Sequence, residues 1–255
     1  MRHLLLPGRL LIVLVALLML ALASSASAQS KAVTKTLKKV DRQILSYSPE
    51  KARNLLGPIM GEKDPRVNAA MGQILVLEKQ YGEGVSKLKA AAKKSDDPMI
   101  LVALGDAQAA AKSKGQANSS FKKAAEMAEE LLADRPNNAD ARFALGVAQQ
   151  RLKSYDEAAA NLTQAKSKAP NNPRIPFELG LTKMLQGDDQ AAFDQLSRAI
   201  ELYSGYAYAY YYRALAANKI NRKDITVNDL DRFLALAPDA PEAPKAQRIL
   251  QAARG

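Results

Sequence analysis

Residues 139–172 read ADARFALGVAQQRLKSYDEAAANLTQAKSKAPNN, and residues 173–206 read PRIPFELGLTKMLQGDDQAAFDQLSRAIELYSGY. A shift of 34 places sets Leu145-Gly146 over Leu179-Gly180, and a further 34 reaches Arg213-Ala214. At the same offset Ala158 falls on Ala192 and Thr226, Leu162 on Leu196 and Leu230, Ala165 on Ala199 and Phe233, and Pro170 on Ser204 and Pro238. A period of 34 with small residues at fixed places predicts a repeated helix-turn-helix unit. Gly146 and Gly180 sit inside apolar helical patterns, where glycine costs about 0.5 to 1 kcal/mol relative to alanine. Close approach of a neighbouring helix offsets that loss, and Ala158 and Ala192 are the matching small residues on the second helix of each pair. A hairpin of this kind exposes an apolar face that it cannot bury alone, so consecutive pairs must stack.

The residues that carry the repeat are Leu-Gly near the start, Ala twelve residues later, Leu or Phe after four more, Ala after three and Pro after five. In this they resemble the tetratricopeptide repeat family, of the exported bacterial kind. The resemblance implies an all-α, right-handed superhelical solenoid whose first helices line a concave groove, and a function in binding another protein or peptide.

Outward from the centre, the pattern extends over residues 29–255. Val33, Leu37, Val40, Ile44 and Tyr47 fall on one helical face, and Ser48-Pro49-Glu50 starts a second helix with a capping residue and a first-position proline. Residues 33–64 therefore form a degenerate first unit. Residues 65–97 carry Met71-Gly72 and residues 98–138 carry Leu104-Gly105. Gly105 and Gly146 lie 41 apart, seven more than the period and close to two helical turns, so the unit 98–138 should have a lengthened second helix. Units 139–172, 173–206 and 207–240 follow, and residues 241–255 supply a capping helix whose outer face is polar. The expected fold is about six hairpins plus that cap, with Gly72, Gly105, Gly146, Gly180, Ala158 and Ala192 at the packing contacts.

Residues 1–28 are read as a signal peptide rather than as part of the fold. Arg2 and Arg9 precede an apolar run from Leu10 to Ala23, and Ala26-Ser27-Ala28 is a small-residue cleavage site. The run is shorter than the roughly 20 residues of a membrane span, although a retained anchor is the alternative. A periplasmic or secreted protein cleaved near Ala28 is expected. The chain has no cysteine, and His3 is its only histidine, so residues 29–255 carry neither. That removes thiolate nucleophiles, imidazole bases and ordinary zinc or copper ligation. The acidic pairs Asp96-Asp97 and Asp188-Asp189 fall at turns, and no glycine-rich phosphate loop occurs. Neither catalysis, a cofactor, a metal nor a small-molecule substrate is expected.

Two candidate surfaces remain. Phe143, Phe177 and Tyr211 each stand two residues before the Leu-Gly position, a place that faces the groove in the family the chain resembles. Three rings there form either a ladder for an extended peptide or packing between hairpins. Six of the nine tyrosines lie within residues 203–212. On a helix Tyr208, Tyr211 and Tyr212 share a face and Tyr210 points away, so the first three are candidate ligand contacts. The charged residues with which some members of the family grip a chaperone's C-terminal carboxylate are absent, because Phe143, Val147, Phe177, Leu181 and Tyr211 stand at those places.

Net charge is +11, and residues 29–255 keep 35 basic against 26 acidic side chains. The excess concentrates in residues 29–64, with eight basic and four acidic groups, whereas 173–206 carry three and five. Lys31, Lys35, Lys38 and Arg42 could meet a membrane surface or anionic polymer, or could be an ordinary solvated helix face. No nucleic-acid motif appears, and an export signal argues against such a partner.

Overall fold

The computed structural model describes residues 30–254, which form thirteen α-helices, one short 310 helix and no strand. The segment read as an export signal, residues 1–28, lies outside them. The helices are α1 (residues 30–45), α2 (Pro49–Leu56), α3 (Pro65–Leu77), α4 (Tyr81–Ala92), α5 (Pro98–Ala110), α6 (Lys114–Asp134) and α7 (Ala139–Arg151). They continue as α8 (Tyr155–Lys168), α9 (Arg174–Leu185), α10 (Asp189–Leu202), α11 (Ala207–Lys219), α12 (Lys223–Leu236) and α13 (Ala243–Arg254). Pairs α1/α2 through α11/α12 are six antiparallel hairpins, and α13 closes the array on α12. From α3 onward each helix packs on the next, while the first helices α3, α5, α7, α9 and α11 also touch one another in sequence. α6 has 21 residues against 14 in α8, which places the seven extra residues of that unit in its second helix.

Local chemistry sets the boundaries. Asp64, Asp97, Asn138 and Asp188 accept backbone N–H groups at the starts of α3, α5, α7 and α10. Every hairpin turn holds one residue in the left-handed region: Tyr47, Lys79, Lys112, Lys153, Gly187 and Asn221, with φ between 54° and 83°. The residue after each of these donates its N–H to a carbonyl five positions back at 2.8–2.9 Å, as in Ser154 to Gln149 and Asp188 to Lys183. This is the Schellman closure, which satisfies carbonyls that the helix end leaves open. A lysine held there pays about 1 to 2 kcal/mol that glycine does not, less the ~0.5 to 1 kcal/mol of chain entropy glycine gives up. Lys153→Gly should therefore raise stability by about 0.5 to 1 kcal/mol. A rise in the urea midpoint checks this, and an unchanged or lower midpoint refutes it.

The core is a chain of small clusters between consecutive hairpins rather than one centre. Val33 and Val40 pack with Val67, Met71 and Ile74, Leu88 and Ala91 with Ile100 and Leu104, and Phe143 and Leu162 with Val102, Ile175 and Leu179. The small residues mark the closest approaches. A Cβ on Gly146 would lie 2.8 Å from Leu162 Cγ and 3.2 Å from the Ala158 carbonyl oxygen, and one on Gly180 2.7 Å from Leu196 Cγ and 3.3 Å from that of Ala192. At Gly72 the obstacle is Leu88 Cγ at 2.6 Å, and at Gly105 the Phe121 ring at 2.4 Å. Ala158 and Ala192 are themselves fully buried.

Candidate functional site

The side chains singled out along the first helices are mostly inside the array. Phe143 is 5% exposed, Phe177 7% and Tyr211 2%. Phe143 packs with Val102, Val147 and Ile175 between hairpins. Phe177 stacks on Tyr206 with centroids 4.5 Å apart, and Tyr211 lies 4.9 Å from Phe233. Tyr208 and Tyr212 are half-buried. Tyr210 turns to the other face of α11, where Arg213 and Arg232 approach its ring at 5.8 and 6.0 Å.

The half-buried tyrosines have a partner from the other end of the chain. The end of α1 reaches α9, α11 and the segment between α10 and α11. Leu45 is buried against Phe177, Leu196, Tyr206 and Ala209, and Tyr47 meets Tyr208 edge-on at 5.9 Å. Asp41 forms an ion pair with Arg174. Ser46 Oγ and the Tyr203 hydroxyl are 2.6 Å apart, and both lie within reach of the Arg42 carbonyl at 3.0 and 3.1 Å. The first hairpin therefore touches the fifth and sixth, and the array closes on itself.

Closure encloses a cavity of about 1160 Å³ walled by α1, α3, α5, α7 and α9. Leu37, Ala103, Phe143 and Val147 supply its apolar surface, and Arg66, Asp106, Arg151, Arg174 and Glu178 its charge. Arg151 joins Asp106 at 2.9 Å to Glu178 at 3.1 Å, tying α5, α7 and α9 together. Burial alone would lower the Arg151 pKa, but the two carboxylates more than reverse this and keep it charged. The Gln150 amide donates to the Glu178 carbonyl and to Thr182 Oγ1, both at 2.9 Å. At one end Asp96, Asp97 and Asp140 gather, and Asp97 is pushed above the usual carboxylate range by burial and then by the other two charges. Among the described residues no group of three or more His, Cys, Asp or Glu side chains is arranged to hold a metal ion.

Lys31, Lys35, Lys38 and Arg42 are all exposed on α1, and Lys38 and Arg42 also border the cavity. Among the described residues no helix is long and apolar enough to cross a membrane.

Residues 116–176, which include α7, α8 and most of α6, match the family model described as tetratricopeptide repeat. The helix array has the fold of a tetratricopeptide repeat solenoid. No curated protein matches its sequence. Among solved structures this repeat protein is similar to a thermophilic tetratricopeptide protein of Thermus thermophilus, at 18% identity and a TM-score of 0.56 over 74% of this chain and 98% of that one. It is also similar to YrrB, a tetratricopeptide protein with an unusual peptide-binding site, at 18% identity over 76% and 97% of the two chains. The first tetratricopeptide domain of Spaghetti, bound to an HSP90 peptide, aligns at 24% identity over 46% and 94%. The TM-scores of 0.43 and 0.44 for these two add nothing to the fold assignment.

Sequence reasoning missed Asp41, Leu45, Ser46 and Tyr47 as a docking segment and Arg151, Arg174 and Glu178 as cavity residues. One signal was available: Leu45 is a large apolar residue that lies off the apolar stripe of α1.

From the tyrosine environment, the protein is expected to lose stability in alkali. Burial, and then the Glu242 carboxylate, push the hydroxyls of Tyr47 and Tyr212 up to about 12, from an ordinary value of 10.0. Tyr208 is raised further, by burial and by its 2.5 Å hydrogen bond to Glu242. The folded form holds these protons more tightly than the unfolded one, so the stability they contribute is intact below pH 10 and is lost as pH rises through 10 toward 12. Tyr212→Phe should lose less stability than the wild type across that window, read from urea midpoints on either side of it. Equal losses would show that Tyr212 does not ionise there.

Proposed function

We propose that the protein is a non-catalytic adaptor that takes a peptide segment of a partner protein into its concave cavity, outside the cytoplasm, in cell-envelope assembly or secretion. The observation that carries this reading is the cavity itself: about 1160 Å³, lined by both apolar and charged side chains, the composition that orients a chain segment rather than reacts with it. Two of its carboxylates, Asp106 and Glu178, are committed to Arg151. Residues 29–255 also lack the histidine and cysteine on which most hydrolytic and transfer chemistry depends. The carboxylates at one end suit a lysine or arginine of the partner segment.

The test is site-specific photocrosslinking in cells that make the full chain, with the photoreactive residue at Gln73 in the cavity wall or at Lys122 on the exposed side of α6. A partner captured from Gln73 and not from Lys122 is the expected result. Capture from Lys122 alone would overturn the cavity assignment. For export, N-terminal sequencing of the mature protein is expected to begin at Gln29, and an intact Met1 would overturn it.

A second reading rests on Lys31, Lys35, Lys38 and Arg42, exposed cations of α1 that recur every three or four residues and so share a face. In it the helix tethers the protein to a membrane surface or anionic polymer. Binding to anionic vesicles should then fall steeply with salt, because exposed charges are screened over ~10 Å at 0.1 M. Salt-insensitive binding would sink it.

A further inference from the structure

The segment 41–47 occupies the concave surface of the last two full hairpins in the way a bound peptide would. It contributes three different chemistries at fixed spacing. Asp41 presents a carboxylate to Arg174. Leu45, four residues on, enters an apolar recess between Phe177, Leu196 and Tyr206. Tyr47, two residues further, sets its ring against Tyr208. The recess is built from side chains of α9, α10 and α11 and the turn before α11, and Phe177 and Tyr206 stack there independently of α1.

Unlike the packing of consecutive hairpins, this contact joins units that are not neighbours. α1 is held independently on its other side, where Val33 and Val40 are buried against α3. Parting segment 41–47 from α9 and α11 therefore does not require α1 to unfold. It requires only that the two ends of the array separate, a motion that small adjustments between successive units supply. Much of what holds the ends together is accessible to water. Asp41 is 44% exposed, and Tyr47 and Tyr203 are only half-buried. Exposed ion pairs and hydrogen bonds contribute little net stability, so the closed form is held mainly by Leu45.

We propose that the surface of α9 and α11 is a binding site for a partner segment carrying an acidic residue, an aliphatic residue four positions later and a tyrosine two positions after that, and that residues 41–47 fill it in the absence of the partner. This goes beyond the cavity reading. Crosslinking from Gln73 and binding at α11 report on different walls, so either can fail without the other.

The test uses the full chain with Ser46→Cys and Gly205→Cys. Ser46 Oγ lies 3.1 Å from where a Cβ on Gly205 would sit, close enough for a disulfide once the end of the Tyr203 ring swings aside. With no cysteine elsewhere, this pair has no competitor. The probe is a fluorescent peptide of residues 38–48, KKVDRQILSYS, beside a control with Asp41→Lys, Leu45→Asp and Tyr47→Ala. The reduced protein should bind the probe and not the control, and oxidation should weaken probe binding at least tenfold. Reduced and oxidised forms are the same polypeptide, so misfolding cannot produce the difference. A separate full chain with Asp41→Lys, which sets two cations against each other, should bind the probe more tightly than wild type. Binding that oxidation leaves unchanged would overturn the proposal, as would no binding even to the Asp41→Lys chain. Light scattering of the Asp41→Lys chain should show a monomer. A dimer that the probe dissolves would assign the surface to residues 41–47 of a second copy and overturn a foreign partner.

Discussion

Replacing Asp229 by alanine is expected to cost about 3 to 5 kcal/mol, because it strands the charge of Arg213 in the last hairpin. The Asp229 side chain is 5% exposed and that of Arg213 19%. Arg213 Nε and Nη2 donate to the two carboxylate oxygens at 2.7 and 2.8 Å, and Nη1 donates to Ser197 Oγ at 3.2 Å. Burial pushes the Asp229 carboxyl above its usual range while the Arg213 hydrogen bond pulls it down, so the pair is retained against a desolvation cost. Arg213 stands where Leu145 and Leu179 stand in the two units before it, and Asp229 where Asn161 and Gln195 stand. A leucine position filled by a guanidinium tolerates burial only with its counter-charge in place. Urea unfolding measures the loss. A cost below ~1 kcal/mol would mean that solvent reaches Arg213 more freely than its exposure indicates.

Phe233→Ala should cost a similar ~3 to 5 kcal/mol, and its effect should reach the far end of the sequence. Phe233 is fully buried, with its ring 4.9 Å from that of Tyr211 and 5.6 Å from that of Tyr208. Alanine occupies the equivalent place in the two preceding units, at Ala165 and Ala199, so in the last unit an aromatic ring takes over that place against the first helix. Without it α11 loses the base on which Tyr208 rests, and Tyr208 carries Tyr47. Hydrogen exchange should show lost protection in residues 207–254 and also in residues 41–47. Loss confined to 207–254 would mean that α1 docks without help from Tyr208.

The two predictions differ in what made them legible. Arg213 was visible as the residue that breaks the Leu-Gly pattern, and Phe233 as the one that breaks the alanine at its place in the repeat. Neither break revealed its partner. The aromatics Phe143, Phe177 and Tyr211 were open to two readings, groove or packing, because a first helix in a tightly wound array faces both at once. The structure places all three below a tenth exposed.

The order of the helices, their pairing and the close contacts at Gly72, Gly105, Gly146 and Gly180 belong to the sequence alone. They depend on contacts between a unit and its neighbour, which recur at one spacing and so leave a period of 34 in the residues. The closure of the array, the cavity it encloses and the seating of Leu45 and Tyr47 among the tyrosines belong to the tertiary structure. Asp41 and Arg174 are 133 positions apart. A contact made once, between units far apart in the chain, repeats nowhere and leaves no periodic trace. It arises only from the small rotation between successive hairpins, summed until the two ends meet.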